Sequence, residues 1–402
     1  MLRPHGWLTT MDDSLLHYHW LASDEGAAEL SAAAELRANG VSDLKIGESL
    51  RDHLEPERAA MILTQLDLRV RAGEKFARAN EMLFTRAGLE QSTSEPIARY
   101  RASRFKGREH IVELCCGLGG DLVALAGLGS RITAVDRDPV HLFLAEHNAR
   151  VYQNDADITP LLMNVEDVAL DDSDAVFIDP ARRKGSGLRT GYLSDPSVEW
   201  SVSLADRAAA IGIKTAPGLP RDMVPDGWEV EMIALGSDLK EAVLWSPGMA
   251  RGNRTATVIS DGAVTSLSPL PGDPVPIRDV EPGDWLHDVN PAATNAGLVE
   301  DLAREIGADR IDAEIGFLVS DRHIDHPMVS SWQVLDVLPW HEKRIKQAIA
   351  RLEIGPIDIR RRGLPGDVPT ITKRLRGKGN RRAFIAMTRM QNAPTAIICS
   401  PG

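Results

Sequence analysis

Apolar and polar positions change their rhythm three times along the chain. In Glu57–Val70 the apolar residues Met61, Ile62, Leu63, Leu66, Leu68 and Val70 fall at helical rather than alternating spacing. Ala-rich, charge-studded stretches of the same texture, Glu25–Arg37, Glu55–Arg71 and Gly73–Arg86, predict helices. Cap and breaker residues in Leu89–Pro96 start another near Pro96, which runs into Arg99–Phe105. From His110 the rhythm switches to short apolar runs separated by helical segments. Ile111–Cys115, Ile132–Asp136, Ala175–Asp179, Ala208–Lys214 and Val230–Leu235 read as strands, Asp121–Leu128 and Pro139–Tyr152 as helices. Such alternation predicts a parallel sheet covered by helices on both faces, a doubly wound α/β domain. Glu241–Trp245 and Thr255–Ser260 read as late, antiparallel strands. Pro and Gly crowd Leu267–Pro282, after which Asn295–Ile306 and His341–Leu352 read as helices and Ile357–Arg361 and Ala383–Met387 as strands of a small α+β unit. The expected organisation is an N-terminal helical domain at 1–107, an α/β domain at 108–262, a connector at 263–335 and a basic unit at 336–402.

Length and composition agree with several domains: 402 residues, 43% of them hydrophobic and 26% charged, provide for a sizeable core. No apolar stretch approaches the roughly 20 residues of a membrane span, and Met1–Thr10 lacks the apolar segment of a secretory signal. A soluble, cytoplasmic protein with no membrane partner is expected. Three cysteines, Cys115, Cys116 and Cys399, form neither a disulfide framework nor a zinc pattern, and no metal is expected. The net charge of −12 argues against nucleic acid until its distribution is read. Trp340–Gly402 holds 14 Lys and Arg against 4 Asp and Glu, a local +10, which leaves −22 on the rest. Such asymmetry points either to nucleic-acid contact or to a basic tail folded on an acidic body.

The chemistry-bearing stretch is Ile111-Val-Glu-Leu-Cys-Cys-Gly-Leu-Gly-Gly-Asp121. A strand turns through Gly117, Gly119 and Gly120 into a helix, and the glycines permit positive φ and close approach of a ligand to bare backbone. The last glycine of a Gly-x-Gly-x-x-Gly dinucleotide fingerprint would fall at Leu122, so that fingerprint is incomplete. Glu113 and Asp121 bracket the turn with negative charge, which suits a cationic ligand and repels a pyrophosphate. The second strand ends at Asp136, placed to hold a ribose diol, while Asp138 is placed to cap the helix begun by Pro139. Asp167 follows the third strand, either as an acceptor for an adenine amine or as a solvated loop acid. The fourth strand ends Asp179-Pro180-Ala181-Arg182-Arg183, at the sheet edge where open α/β folds bind ligands. Lys214 ends the fifth, facing the same cleft or solvent.

Together, Glu-x-Cys-Cys-Gly-x-Gly-Gly-Asp, Val-Asp-x-Asp-Pro and Asp-Pro-Ala-Arg resemble a class I S-adenosylmethionine-dependent methyltransferase. More narrowly, the chain resembles the bacterial methyltransferase family that ends in a THUMP-like domain. Phe84–Thr93 and Arg101–Phe105 resemble that family's N-terminal segment, and Asn290–Ala293 through Ala296–Leu298 its connector. Cys-Cys-Gly-x-Gly-Gly with Asp-x-Asp-Pro also resembles the RNA-cap guanine-N2 methyltransferases. Those enzymes place an aromatic after a Pro-Pro motif, where Arg182 and Arg183 stand here.

The resemblance implies a Rossmann-like methyltransferase domain flanked by an N-terminal helical domain and a small C-terminal α+β, THUMP-like domain. It implies S-adenosyl-L-methionine as cofactor, with Glu113, Gly117 and Gly119 along its methionine part, Asp136 on the ribose and Asp167 on the adenine. Cys115, Asp121 and Arg137 complete the candidate cofactor set. Asp179 and Pro180 would form the floor where the target meets the methyl group, with Asp179 orienting the target amine and Arg182 and Arg183 neutralising phosphates. Phe84, Thr85 and Gln91 are further candidates to touch the cofactor. Structured RNA, a tRNA or rRNA, is the expected substrate, held through Arg183, Arg361, Arg362, Lys373, Arg374, Arg381 and Arg382. A small-molecule or protein methyltransferase, or an RNA-binding module without turnover, are the alternatives.

Overall fold

The computed structural model of the chain describes residues 13–153, 155–182 and 194–400. Its residues group into two compact units, one of Met1–Gly227 with Leu244–Ala250 and one of Trp228–Val243 with Arg251–Gly402. No helix among the described residues is long and apolar enough to cross a membrane.

In the first unit, helices Asp24–Ala38, Asp43–Arg51 and Pro56–Ala72 form the N-terminal layer. The Ser23 hydroxyl caps the first by accepting from the Gly26 N–H, and Pro56 opens the third, where its missing N–H costs nothing. Leu30, Ile46, Ile62 and Leu66 bury one face of this layer in a core shared with Leu118, Val140 and Leu144. The helix expected over Gly73–Arg86 does not form; turns and extended chain fill this stretch up to a short helix at Arg86–Gln91. Two buried amides explain the difference. Gln65 donates to the Phe84 carbonyl at 2.7 Å and accepts from its N–H at 3.0 Å. Asn148 does the same for Leu83, at 2.9 Å each way, and also donates to the Leu118 carbonyl at 3.0 Å. Backbone groups that a helix would have paired internally are satisfied by side chains instead.

The α/β part of this unit contains β1 (His110–Leu114), β2 (Arg131–Asp136), β3 (Ile158–Leu162), β4 (Ala175–Ile178) and β5 (Ile211–Thr215). They run parallel in the order β3-β2-β1-β4-β5. Continuous burial of Ile111, Val112 and Leu114 in β1 and of all four residues of β4 fits a sheet covered on both faces. The order reverses between β1 and β4, and at such a switch point the carboxyl ends of neighbouring strands diverge into a crevice. Trp245 packs at 5.9 Å from Phe105, and its ring fills the space beside Gly212 where a Cβ would lie 2.5 Å away.

In the second unit, strand Arg254–Ser260 runs parallel to Glu229–Leu235 rather than antiparallel, because the intervening strand Asp238–Trp245 turns the chain twice. Ala263–Leu267 then closes an antiparallel hairpin with it. Further on, Trp285–Val289, Phe317–Ser320 and Val329–Pro339 share a seven-stranded sheet with Ala393–Cys399, Arg381–Met390 and Ile354–Arg361. Residues read in sequence as a connector thus supply strands of the same sheet as the basic C-terminal unit. Helices Glu342–Arg351 and Val368–Leu375 cover it through Ile345, Ile349, Ile371 and Leu375.

Candidate functional site

A cleft of about 600 Å³ opens at the carboxyl ends of β1, β2 and β4, a normal size for a small-molecule site. Its inner wall is the turn after β1. Cys115 takes a left-handed backbone (φ 60), unusual for a side-chain-bearing residue, and starts the turn. Gly117 continues it at φ 54, with nothing within 4 Å of a would-be Cβ, so its bare backbone faces open space. Gly119, at φ 85, has a different task. A Cβ there would lie 2.8 Å from the Ala145 Cα, so this glycine lets helix Pro139–Tyr152 pack against the turn. Asp136 ties the wall together, accepting from the Gly117 N–H and the Asp138 N–H at 2.9 Å each. Asp138 caps the following helix by accepting from the N–H groups of Val140 and His141.

The segment that follows the N-terminal helices supplies another wall. Residues 88 and 90–93 line the cleft, and Thr93 approaches Gly120 so closely that a Cβ there would lie 3.1 Å from the Thr93 nitrogen. Thr93 belongs to a buried polar chain. Arg101 pairs with Asp121 and donates to the Thr93 hydroxyl at 2.9 Å, while its guanidinium lies 4.8 Å over the Phe177 ring. Lys214 continues the chain, its Nζ 3.1 Å from the Thr93 hydroxyl and 2.6 Å from Asp179 Oδ2.

Beneath this chain lies Glu113, 2% exposed, whose Oε2 meets no hydrogen-bond partner among the described residues. Burial, with Asp121 and Asp179 adding to it, pushes its carboxyl well above the usual carboxylate range. Burial likewise pushes the Cys115 and Cys116 thiols up, so neither is a ready thiolate. The cleft is therefore acidic, with an unsatisfied acceptor on its floor and carboxylates at three strand ends.

Two S-adenosylmethionine-dependent methyltransferases of Mycobacterium tuberculosis, of strains CDC 1551/Oshkosh and ATCC 25618/H37Rv and both uncharacterized, are 31% identical to this chain over 364 residues, spanning 86% of it and 98% of each relative. The chain belongs to the S-adenosylmethionine-dependent methyltransferases. Residues 108–184 match the family described as RNA cap guanine-N2 methyltransferase, residues 329–401 the THUMP domain-like family, and residues 14–72 a domain of unknown function. A crystal structure of a candidate methyltransferase from Porphyromonas gingivalis W83 superposes with a TM-score of 0.70 over 87% of this chain and 92% of its own, at 17% identity. That likeness is one of fold. The fold is thus the Rossmann-like class I methyltransferase fold, with N-terminal helices and a C-terminal THUMP-like domain.

The donor set of the methyltransferase fits its cofactor. S-adenosylmethionine presents a sulfonium and an ammonium, and the cleft offers an orphaned buried carboxyl and several more carboxylates. Of the residues singled out in sequence, Glu113, Cys115, Gly117, Asp121, Asp136, Arg137, Asp179 and Pro180 all line this cleft. Gly119 supports it from behind, and Asp121 faces it while bound to Arg101. Asp167 is not among the lining residues, whereas its neighbour Glu166 is, because the single-turn helix Val165–Asp167 points successive side chains in different directions. Gln91 lines the cleft; Phe84 is fully buried in the core, and Thr85 caps Arg86–Gln91 by accepting from the Gly88 N–H. Arg182 has a described backbone only, and Arg183 lies outside the described residues. Sequence reasoning gave Lys214 no firm place, and it noted Thr93 and Arg101 within segments that resemble the family without giving either a role; the buried pairing that unites them leaves no local signature.

The basic residues of the second unit divide into two kinds. Arg362 is half-buried, bound to Asp288 at 2.7 Å and to the Val289 carbonyl, and stacked 5.3 Å over Phe317. Burial pushes the Asp288 carboxyl up against this partner, so Arg362 is part of the structure. Arg374 and Arg382 are exposed but paired, with Glu342 and Asp358 at 2.8 Å each. Arg361, Lys373 and Arg381 are exposed and form no ion pair among the described residues. Phe384 is buried and stacked on Trp332 at 4.1 Å, which removes it as a base-stacking platform.

Proposed function

We propose that this methyltransferase modifies a base nitrogen in structured RNA, a tRNA or an rRNA. The observation that carries the RNA reading is the set of exposed cations, Arg361, Lys373 and Arg381, left unneutralised on a chain whose net charge is −12. Exposed cations that no carboxylate neutralises are suited to phosphates. The matches to an RNA cap methyltransferase family and to a THUMP-like domain support the same substrate class.

In this reading Glu113 receives the cofactor ammonium on its unpartnered Oε2, Asp136 holds the ribose, and Glu166 takes the adenine position first read for Asp167. Gly117 and Cys115 shape the turn on which the methionine part rests, and Arg137 flanks it, its guanidinium 3.2 Å from Asp195. S-adenosylmethionine supplies the methyl group from its sulfonium. Catalysis by the protein is then chiefly positioning. Asp179 leaves the end of β4 half-buried, with the buried Pro180 stiffening its exit, and it orients the target nitrogen by accepting from its N–H.

The test is incubation of the purified chain with methyl-labelled cofactor and RNA from a strain lacking the gene, followed by nuclease digestion. Label in a nucleoside supports the reading. Label that stays in protein or small molecules overturns it.

A further inference from the structure

The target end of the cleft holds an ion pair, not a lone carboxylate. Lys214 Nζ sits 2.6 Å from Asp179 Oδ2, and its side chain is 12% exposed. The Thr93 hydroxyl fixes it from the other side at 3.1 Å. Both Lys214 and Asp179 line the cleft. Among the described residues, the titratable groups near this pair include Glu113 on β1, the Arg101–Asp121 pair behind Thr93, and the Cys115 thiol at the turn.

An exocyclic amine attacks with its own lone pair and becomes positively charged as the bond forms. A lysine locked onto the nearby carboxylate cancels the field that would stabilise that charge. If the lysine instead donates to the adjacent ring nitrogen, it drains the amine's lone pair. A lactam nitrogen, flanked by a carbonyl, makes the opposite demand. It must lose its N–H, and the resulting negative charge collects on the carbonyl oxygen. One side-by-side acceptor and cation serve both needs: Asp179 takes the proton, and Lys214 donates to the oxygen.

Resting on the RNA reading above, we propose that the Asp179–Lys214 pair selects a lactam N–H, as at guanine N1 or uracil N3, over an exocyclic amine. The nitrogen passes its proton to an Asp179 oxygen and gains the methyl carbon, while the C–S bond breaks with its electron pair left on sulfur. The methylated base is neutral, and Asp179 returns its proton to water.

The experiment identifies the methylated nucleoside by mass spectrometry after reaction of the full chain with RNA from a strain lacking the gene. It is paired with pH–rate profiles of the wild type, Lys214→Met and Lys214→Arg. A product methylated at guanine N1 or uracil N3 is expected, with a rate that rises with pH. Lys214→Met should lose about 100–1000-fold in kcat, as for loss of one oxyanion donor, and Lys214→Arg should recover a substantial part. Calorimetric affinity for S-adenosylmethionine should stay within about twofold in both variants, which a merely unfolded variant would not show. A methyl on an exocyclic amine, or a Lys214→Met enzyme as fast as the wild type, overturns this inference and leaves the RNA reading standing. Absence of label in any nucleoside overturns the RNA reading and this inference with it.

Discussion

The buried Arg101–Asp121 pair makes a demanding prediction about stability. Arg101 is 1% exposed and Asp121 6%, so each charge depends chiefly on the other. Replacing Arg101 by Met leaves the Asp121 carboxylate with the Thr93 hydroxyl, 3.2 Å away, as its remaining side-chain partner among the described residues. Stranding one member of a buried pair costs about 3–5 kcal/mol, whereas replacing both by apolar groups is often nearly neutral. Arg101→Met alone should therefore lose about 3–5 kcal/mol, and Arg101→Met with Asp121→Leu should recover most of that loss. For a unit of this size, roughly 2–4 °C accompany each kcal/mol. The single variant should then melt about 6–20 °C lower in cofactor-free calorimetry of the full chain. A single variant within about 1 kcal/mol of wild type, or a double variant no better than the single, would refute the view that these charges are desolvated and mutually dependent.

The two turn glycines should separate binding from folding. Gly117→Ala should weaken S-adenosylmethionine binding with a stability loss of about 1 kcal/mol, while Gly119→Ala should chiefly destabilise, since its Cβ meets the Ala145 backbone; titration and melting of both variants check this. Glu113 has a raised folded pKa, so the folded state holds a proton that the unfolded state loses above the ordinary carboxyl range, and apo stability falls as pH rises from about 4.5 through that window. Glu113→Gln should flatten that fall. Cofactor binding should also release a proton, visible as a buffer-dependent heat in the wild type and absent in the variant. His287 is buried and neutral between the Ser331 and Ser320 hydroxyls, and desolvation, with His323 adding to it, lowers its pKa from 6.5 to about 4. The unfolded chain therefore takes the proton first, and stability should fall by about 3 kcal/mol as pH drops from 6.5 to 4, less so in His287→Gln by denaturant melts. Lys373→Ser with Arg381→Ser should weaken RNA binding and make its salt slope shallower by about 1 for each phosphate no longer neutralised, with melting unchanged. Arg362→Ala should instead lower melting by leaving the buried Asp288 with the exposed Arg360, 3.6 Å away, in place of its hydrogen-bonded partner.

How much of this was legible in sequence follows from the range of the forces involved. The parallel strands were readable because burial on both faces demands unbroken apolar runs such as Ala175–Ile178, and the turn after β1 because glycine is the residue that admits its backbone. Even the switch to a ligand-bearing sheet edge could be read, since four strand ends each carry an acid. The misread stretch, Gly73–Arg86, has helical composition; Gln65 and Asn148 override it from 19 and 65 residues away by taking its backbone bonds. Asp167 and Glu166 are adjacent acids, and one residue of helical rotation decides which faces the cleft. Among the C-terminal arginines, charge alone placed Arg362 with its neighbours, while burial beside Asp288 and Phe317 gives it a structural task.

The same reasoning separates two acids that look alike in sequence. Asp121 and Asp179 both stand at the cleft, and among the described residues Asp121 pairs with Arg101 and Asp179 with Lys214. Arg101 is sealed in the core over Phe177, so Asp121 is spent on joining the N-terminal segment to the turn after β1. Lys214 remains at the edge of the cleft, so Asp179 stays open to a ligand with its partner beside it. Thr93 touches Arg101, Asp121 and Lys214, and the N-terminal layer thereby sets the position of the cation at the target end. Thr93→Val should consequently lower kcat more than it weakens cofactor binding, whereas a purely structural threonine would lower both together; the split between kcat and the calorimetric affinity decides between them.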